Sequence, residues 1–287
     1  MKNTLRDYTR LVKFEHTIFA LPFALIGFFL ATRQESGMLS FVLLLKVIGS
    51  MIFARNAAMG FNRYLDRSFD AANPRTAMRE IPAGVVSPKK ALIFVIANSL
   101  FFVSMSWLIN DLCFYLSPVA LLVILGYSYT KRITPLCHFI LSSGLALAPI
   151  GAYLAVTGQF AIAPLLFSMV VFFWVSGFDI IYASQDVDFD RDNQLNSIPA
   201  ILGIKKALQL SVLVHIITIV FVISAGIVLH SGFLFWIGAT IFIGLLAYQH
   251  LIIKPYDLSR VDLAFGTTNG IASVIFAIFV IASFYLK

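Results

Sequence analysis

Two segments of the sequence carry oxygen side chains at helical spacing. The first acidic motif consists of Asn62, Asp66 and Asp70, and the second of Asp179, Asp186 and Asp190. On a helix, spacings of four and seven residues return side chains to nearly the same face. Carboxylates stacked on one face repel unless a cation lies among them, and oxygen ligands suit Mg²⁺ shared with substrate phosphates. We therefore predict Mg²⁺ ligands at Asn62, Asp66, Asp70, Asp186 and Asp190.

Basic residues accompany both motifs in the sequence. They are Arg63, Arg67, Arg75, Arg79, Lys131 and Arg132. Arginine offers a planar fork, and lysine a point charge, to phosphate oxygens that the metal does not reach. Cytoplasmic loops are rich in Lys and Arg in any membrane protein, and acidic loops are often merely solvated. The occurrence of two such motifs at corresponding places favours a phosphate and metal site over these simpler explanations.

Two ionisable residues are expected deeper in the membrane. Arg55 lies seven residues before Asn62, and Asp179 lies seven before Asp186. Ionisable groups at that depth usually face a cavity or a partner. The two side chains could form a structural ion pair, or they could bind the polar end of a second substrate. In the second case Asp179 could also accept a proton or polarise a substrate hydroxyl.

The elements that position these residues must be membrane helices. The chain has 287 residues, is 60% hydrophobic and 12% charged, and has a mean hydropathy of +0.90, which excludes an ordinary soluble domain. Apolar runs long enough to cross a bilayer recur along the chain. We predict an all-α, polytopic membrane protein with one domain over residues 1–287, whose first apolar run is a span and not a signal peptide. The predicted spans are 17–32, 39–61, 90–110, 112–130, 138–157, 162–183, 208–230, 233–252 and 266–286.

The basic residues also predict an orientation. Lys and Arg gather after alternate spans, and only Arg33 and Lys287 lie on the opposite side. This pattern places the N-terminus in the cytoplasm, the C-terminus outside and both motifs at the cytoplasmic face of a bacterial inner membrane. Anionic lipid headgroups and this topology account for the net charge of +7, so no nucleic-acid partner is needed.

Four stretches together resemble the UbiA superfamily of intramembrane prenyltransferases. They are "ARNAAMGFNRYLDRSFDAANPRTAMREIPAG" (54–84), "DIIYASQDVDFDRDNQLNSIPA" (179–200), "YSYTK" (127–131) and "KFEHTIFALPFALIG" (13–27). The likeness is greatest to the bacterial 4-hydroxybenzoate polyprenyltransferase branch and its menaquinone relatives. It covers the whole chain, and the second motif matches the pattern DxxYAxxDxxxD, which includes Tyr182.

The resemblance implies a fold, a reaction and site residues. The fold would be nine transmembrane helices around a central cavity. Both motifs would bind Mg²⁺ and the diphosphate of a polyprenyl donor, assisted by Tyr127 and Lys131. Arg55 would meet the carboxylate of an aromatic acceptor such as 4-hydroxybenzoate.

Several alternatives stay open from the sequence. The acceptor could be a menaquinone precursor of the futalosine pathway, a dihydroxynaphthoate, a haem or a chlorin. A transporter would explain Arg55 and Asp179 but not two acidic motifs with basic residues at one membrane face. A CDP-alcohol phosphotransferase would need a leading Asp-Gly and a further Gly that are missing around Ala54 and Arg55.

Overall fold

The computed structural model describes residues 4–13, 17, 19–35 and 39–286, and its secondary structure is helical. Residues 14–16 and 18, from the predicted entry segment, lie outside this range. The α-helices are α1 (Thr4–Leu11), α2 (Leu21–Glu35), α3 (Phe41–Leu65), α4 (Arg67–Ala72), α5 (Pro88–Ile109), α6 (Asp111–Thr130), α7 (Cys137–Thr157), α8 (Ile162–Ala183), α9 (Val187–Asp192), α10 (Ile198–Leu202), α11 (Ile204–Val228), α12 (Phe233–Ile252) and α13 (Asn269–Tyr285). A 3₁₀ turn, Ser184–Asp186, precedes α9, and a π-helix, Leu263–Thr268, precedes α13.

The predicted all-α membrane architecture is confirmed. Among the described residues, 8 helices are long and apolar enough to cross a bilayer, and the shorter apolar α2 corresponds to the first predicted span. Large apolar side chains face outward, as at Leu122 (75% exposed) and Phe233 (78% exposed). Such an apolar surface is unfavourable in water and suits hydrocarbon. The chain is a multi-pass membrane protein.

The chain divides into two compact units, and the first comprises residues 1–17 and 42–129. Its buried apolar cluster joins Leu11 of α1 to Ile81, Val86 and Ala91. The helix α5 begins where the Ser87 side chain accepts a hydrogen bond from the backbone N–H of Lys90 (3.4 Å) and Pro88 occupies the first turn. These contacts order the segment that follows the first acidic motif.

Within this unit, polar and small residues bring α3 close to α5. Asn56 Nδ2 donates a hydrogen bond to Asn98 Oδ1 (3.2 Å). At Gly60 an added Cβ would lie 3.0 Å from a side-chain carbon of Val95, so the absence of a side chain allows the close approach. Such contacts drive helix association in a bilayer, where apolar burial contributes little.

The second unit comprises residues 18–41 and 130–287. Its core is an aromatic cluster that includes Phe23, Trp174, Phe242 and Phe276, all fully buried. The helices α2 and α7 pack closely, since a Cβ at Gly27 would overlap the carbonyl oxygen of Pro149. Rigid packing of this kind holds α8, which leads into the second acidic motif, in a defined position.

Both acidic motifs lie where a long helix breaks. The helix α3 ends at Leu65, Asp66 adopts a non-helical conformation (φ −86°, ψ 7°), and α4 follows. Likewise α8 ends at Ala183, and the 3₁₀ turn separates it from α9. The continuous helices assumed in the spacing argument are therefore interrupted. Asp66 and Asp186 each stand directly before the short helix that follows, and neither side chain makes a capping hydrogen bond to it.

Candidate functional site

In the first acidic motif the three side chains have different environments. Asn62 Nδ2 donates a hydrogen bond to Asp66 Oδ2 (2.9 Å), and Asp66 is partly exposed. Asp70 is only 5% exposed, and its Oδ1 accepts a hydrogen bond from Arg79 Nη1 (2.6 Å). Arg63 Nη1 lies 3.9 Å from Asp70 Oδ2. Asn62 and Asp66 are thus partly exposed, whereas Asp70 is buried beside two arginines.

Asp70 also orders the backbone that carries the arginines. Thr76 Oγ1 donates to the Asp70 carbonyl oxygen (3.0 Å), and the backbone N–H of Arg75 donates to Asn73 Oδ1 (2.9 Å). Arg75 itself is exposed. The ion pair with Asp70 holds the Arg79 side chain in one conformation. Arg79 therefore loses little conformational entropy when it binds a ligand.

The second acidic motif has the same division of environments. Asp186 is partly exposed, whereas Asp190 is 0% exposed. Asp190 Oδ1 lies 2.7 Å from Lys131 Nζ, and its Oδ2 accepts a hydrogen bond from Ser197 Oγ (2.6 Å). In each motif, therefore, the last carboxylate is buried beside a cation and the preceding one is partly exposed. Spacing predicts which face a residue shares but not its burial, so the sequence could not distinguish these environments.

The deep arginine is anchored to backbone carbonyl groups. Arg55 Nη1 donates to the Val12 carbonyl oxygen (3.0 Å) and Nη2 donates to that of Lys13 (3.1 Å). A guanidinium group has five N–H donors in a planar fork, which suits two neighbouring carbonyl acceptors. Arg55 is thus tied to the backbone that directly follows α1.

The deep aspartate has a partner that the sequence analysis missed. Asp179 Oδ2 lies 2.7 Å from His138 Nδ1, and the imidazole is 3% exposed. His138 is the second residue of α7. The sequence did show that His138 is an ionisable residue at the edge of an apolar span. Burying such a residue is energetically unfavourable unless it has a partner. The sequence contains five histidines, and the spacing of residues around His138 does not distinguish it from the other four.

The remaining predicted residues occupy varied positions. Tyr182 packs against Phe265, with ring centroids 4.2 Å apart. Arg67 is exposed and lies over the Tyr64 ring, 4.7 Å from its centroid. Tyr127 lies on α6, and Arg132 lies in the turn that follows; both are partly buried. A phosphate role for these residues stays a prediction.

The chemistry of the donor set decides which metal the residues fit. The two motifs offer carboxylate and amide oxygens, which suit Mg²⁺ and not the sulfur and nitrogen sites of Zn²⁺. Asp70 Oδ2 and Asp190 Oδ1 are buried, and in the part of the chain described each lies in an ion pair, with Arg63 Nη1 at 3.9 Å and Lys131 Nζ at 2.7 Å. Across the same residues, no three His, Cys, Asp or Glu side chains form a ready-made metal site. Taken separately, each motif offers oxygen ligands that fit Mg²⁺, whose coordination water and substrate oxygens would complete.

Comparison with known proteins agrees with this chemistry. A family model described as the UbiA prenyltransferase family matches residues 20–283. A curated relative, 4-hydroxybenzoate octaprenyltransferase of Tolumonas auensis, is 29% identical over 243 residues, which are 85% of each chain.

Two solved structures are similar to the whole chain. The apo structure of a UbiA homolog from Aeropyrum pernix K1 has a TM-score of 0.80 at 28% identity and covers 94% of this chain and 96% of that one. A UbiA homolog from Archaeoglobus fulgidus bound to DMAPP and Mg²⁺ has a TM-score of 0.77 at 20% identity and covers 98% and 100%, which supports the fold alone. The chain belongs to the UbiA prenyltransferase family and is an integral-membrane prenyltransferase.

Proposed function

We propose that this chain transfers a polyprenyl group from polyprenyl diphosphate to an aromatic carboxylate, with 4-hydroxybenzoate as the acceptor, in ubiquinone or menaquinone biosynthesis. The observation that carries the proposal is the environment of the motifs. In each motif one carboxylate is partly exposed and the next is buried in an ion pair with a cationic side chain. The cation is Arg79 in the first motif and Lys131 in the second. This combination suits a diphosphate that arrives with a divalent cation.

The relatives support this choice of substrates. The Tolumonas auensis relative is named for an octaprenyl transfer to 4-hydroxybenzoate, and the Archaeoglobus fulgidus homolog was solved with DMAPP, a prenyl diphosphate, and Mg²⁺. In our proposal Asn62, Asp66 and Asp186 bind Mg²⁺, and Asp70 and Asp190 contribute the buried carboxylates that pair with Arg79 and Lys131. When bound, the metal neutralises charge on the departing diphosphate.

The chain's own residues perform the rest of the reaction. Arg79 and Lys131, with Arg63, Arg67, Arg75, Arg132, Tyr127 and Tyr182 as further contacts, hold the diphosphate while the allylic carbon–oxygen bond breaks. The bonding pair leaves with the diphosphate, and the electron-rich ring attacks the allylic carbon. The substituted ring carbon then gives its proton to the Asp179 carboxylate or to the released diphosphate, which restores the aromatic ring. Loss of the diphosphate leaves positive charge on the allylic carbon, and the apolar helices exclude water that would otherwise react with it. Arg55 binds the acceptor's carboxylate, and Asp179 contacts its hydroxyl group.

The proposal also includes the location of the reaction. In our proposal the motifs lie at the cytoplasmic face of a bacterial inner membrane, with the N-terminus inside and the C-terminus outside, and the distribution of Lys and Arg among the loops supports this orientation. The prenyl chain reaches the site from the surrounding membrane lipid, and the soluble acceptor reaches it from the cytoplasm.

A reconstituted assay tests the proposal. Purified protein in liposomes is given prenyl diphosphates of several lengths with 4-hydroxybenzoate, a dihydroxynaphthoate or benzoate, and products are identified by mass spectrometry. We expect ring-prenylated 4-hydroxybenzoate in the presence of Mg²⁺ and none with EDTA. A product from another acceptor alone would change the assigned substrate. Solute flux across the liposomes without any product would favour the transporter.

Replacing Arg55 tests how the acceptor is held. We expect Arg55→Ala to raise the KM for 4-hydroxybenzoate by about 10-fold or more, because a charged hydrogen bond to the carboxylate is lost. The KM for the prenyl diphosphate should change by less than about 2-fold. Arg33→Ala, which removes an exposed arginine outside the motifs, is the control. Equal increases in both KM values would contradict a carboxylate contact.

A further inference from the structure

We infer that His138 is a positioning residue that holds Asp179 ready to accept a hydrogen bond from the hydroxyl group of the aromatic acceptor. This inference deepens the proposed function and rests on it. It assigns a role to a buried histidine that lies outside both acidic motifs. It also names a recognised feature of the substrate, which is a hydroxyl group on the ring.

The hydrogen bonds of the imidazole assign its tautomer. The backbone N–H of Ile198 donates to His138 Nε2 (3.2 Å), so Nε2 is an acceptor and carries no proton. The proton of a neutral imidazole must then be on Nδ1, from which it is donated to Asp179 Oδ2 at 2.7 Å. Because the ring is 3% exposed, water does not compete for either nitrogen.

The backbone donor of this arrangement is itself held by the second motif. We call the three consecutive residues Asn196, Ser197 and Ile198 the connector. Each of them donates one hydrogen bond to a neighbouring segment. Asn196 N–H donates to the Lys131 carbonyl oxygen (2.7 Å), Ser197 Oγ donates to Asp190 Oδ2, and Ile198 N–H donates to His138. The connector therefore fixes the imidazole relative to Lys131 and Asp190.

Asp179 is left with one oxygen fixed and one available. Its side chain is 19% exposed, and its Oδ1 has no hydrogen-bond partner among the residues described. The hydrogen bond that Asp179 Oδ2 accepts orients the carboxylate and leaves its negative charge in place. Its second oxygen can accept a hydrogen bond from a phenolic hydroxyl group, which raises electron density on the ring that attacks the prenyl carbon. His138 acts through Asp179 and does not contact the substrate.

Two amide variants separate positioning from packing. Asparagine at position 138 presents a donor near the place of Nδ1, whereas glutamine presents an acceptor near the place of Nε2. We expect His138→Gln to raise the KM for 4-hydroxybenzoate by about 10-fold, since a hydrogen bond to a charged group is lost, and to leave the donor KM within about 2-fold. His138→Asn should stay within about 3-fold of wild type for both substrates. His230→Gln, in the loop before α12, is the control for loss of a histidine.

Binding measurements keep the inference separate from the proposed reaction. By titration calorimetry, wild type should bind 4-hydroxybenzoate more tightly than benzoate, and His138→Gln should bind the two equally. Nitrogen NMR of labelled histidine, assigned through His138→Asn, should show protonation at Nδ1 only. Proton attachment at Nε2, or equal loss of binding in the Gln and Asn variants, would overturn the positioning role. Absence of product in wild type, with the hydroxyl preference retained, would instead refute the proposed reaction.

Discussion

Prenyl transfer should fall by about 100- to 1000-fold or more when Asp66 or Asp186 is replaced with alanine. These are the partly exposed carboxylates of the two motifs, and in the proposed function each binds the Mg²⁺ that neutralises the leaving diphosphate. Removing one withdraws stabilisation at the point where negative charge develops in the transition state. The rate should be measured at saturating donor and acceptor over a range of Mg²⁺ concentrations, and the variants should require more Mg²⁺.

Matched variants make this result specific. Asp188 is an exposed carboxylate in α9, two residues from Asp186, and Asp188→Ala should retain activity close to wild type. If both motifs act on the same diphosphate, the double variant Asp66→Ala/Asp186→Ala should lose little more than either single variant, since residues that act as a unit are not additive. Full activity of either single variant in EDTA would contradict the metal assignment.

The second large effect concerns stability as well as activity. Lys131→Met should destabilise the protein by about 3 kcal/mol, because Asp190 is then a buried carboxylate without its cation. This value is at the low end for a broken buried pair, since the Lys131 side chain is 36% exposed and Ser197 still donates to Asp190. The apparent Tm in detergent should fall by about 6 °C or more.

A compensating variant separates the two roles of Lys131. Lys131→Met/Asp190→Asn removes the lone charge and should recover most of the lost Tm, whereas prenyl transfer should stay low because the proposed diphosphate contact of Lys131 and the proposed metal ligand Asp190 are both missing. Lys205→Met, an exposed lysine at the start of α11, should change neither property. A double variant as unstable as Lys131→Met would show that packing, and not the buried charge, explains the loss.

The acceptor is the least constrained part of the proposed function. In the proposed function Arg55 binds a carboxylate and Asp179, positioned by His138, binds a hydroxyl group, and both groups occur in 4-hydroxybenzoate. Other hydroxylated aromatic acids share them, so a comparison of acceptors must vary one group at a time. Benzoate lacks the hydroxyl group and phenol lacks the carboxylate, which makes these two compounds informative partners in the KM measurements above.

Helices, class and family could be predicted from the sequence because each depends on short, local patterns. Apolar runs of about 20 residues predict a bilayer span wherever they occur. The predicted spans 162–183 and 233–252 coincide with α8 and α12. The acidic motifs are likewise local, with spacings that are visible without knowledge of the fold.

The tertiary structure was needed to identify which charged groups are buried and what each one contacts. The sequence predicted that each motif lies along one face of a continuous helix. In the structure the helices break at Asp66 and after Ala183, and the last carboxylates pair with Arg79 and Lys131. His138 receives its role from Asp179 and from Ile198, which is 60 residues away along the chain. Burial and pairing depend on contacts between distant segments, and hydropathy and helical periodicity carry no information about such contacts.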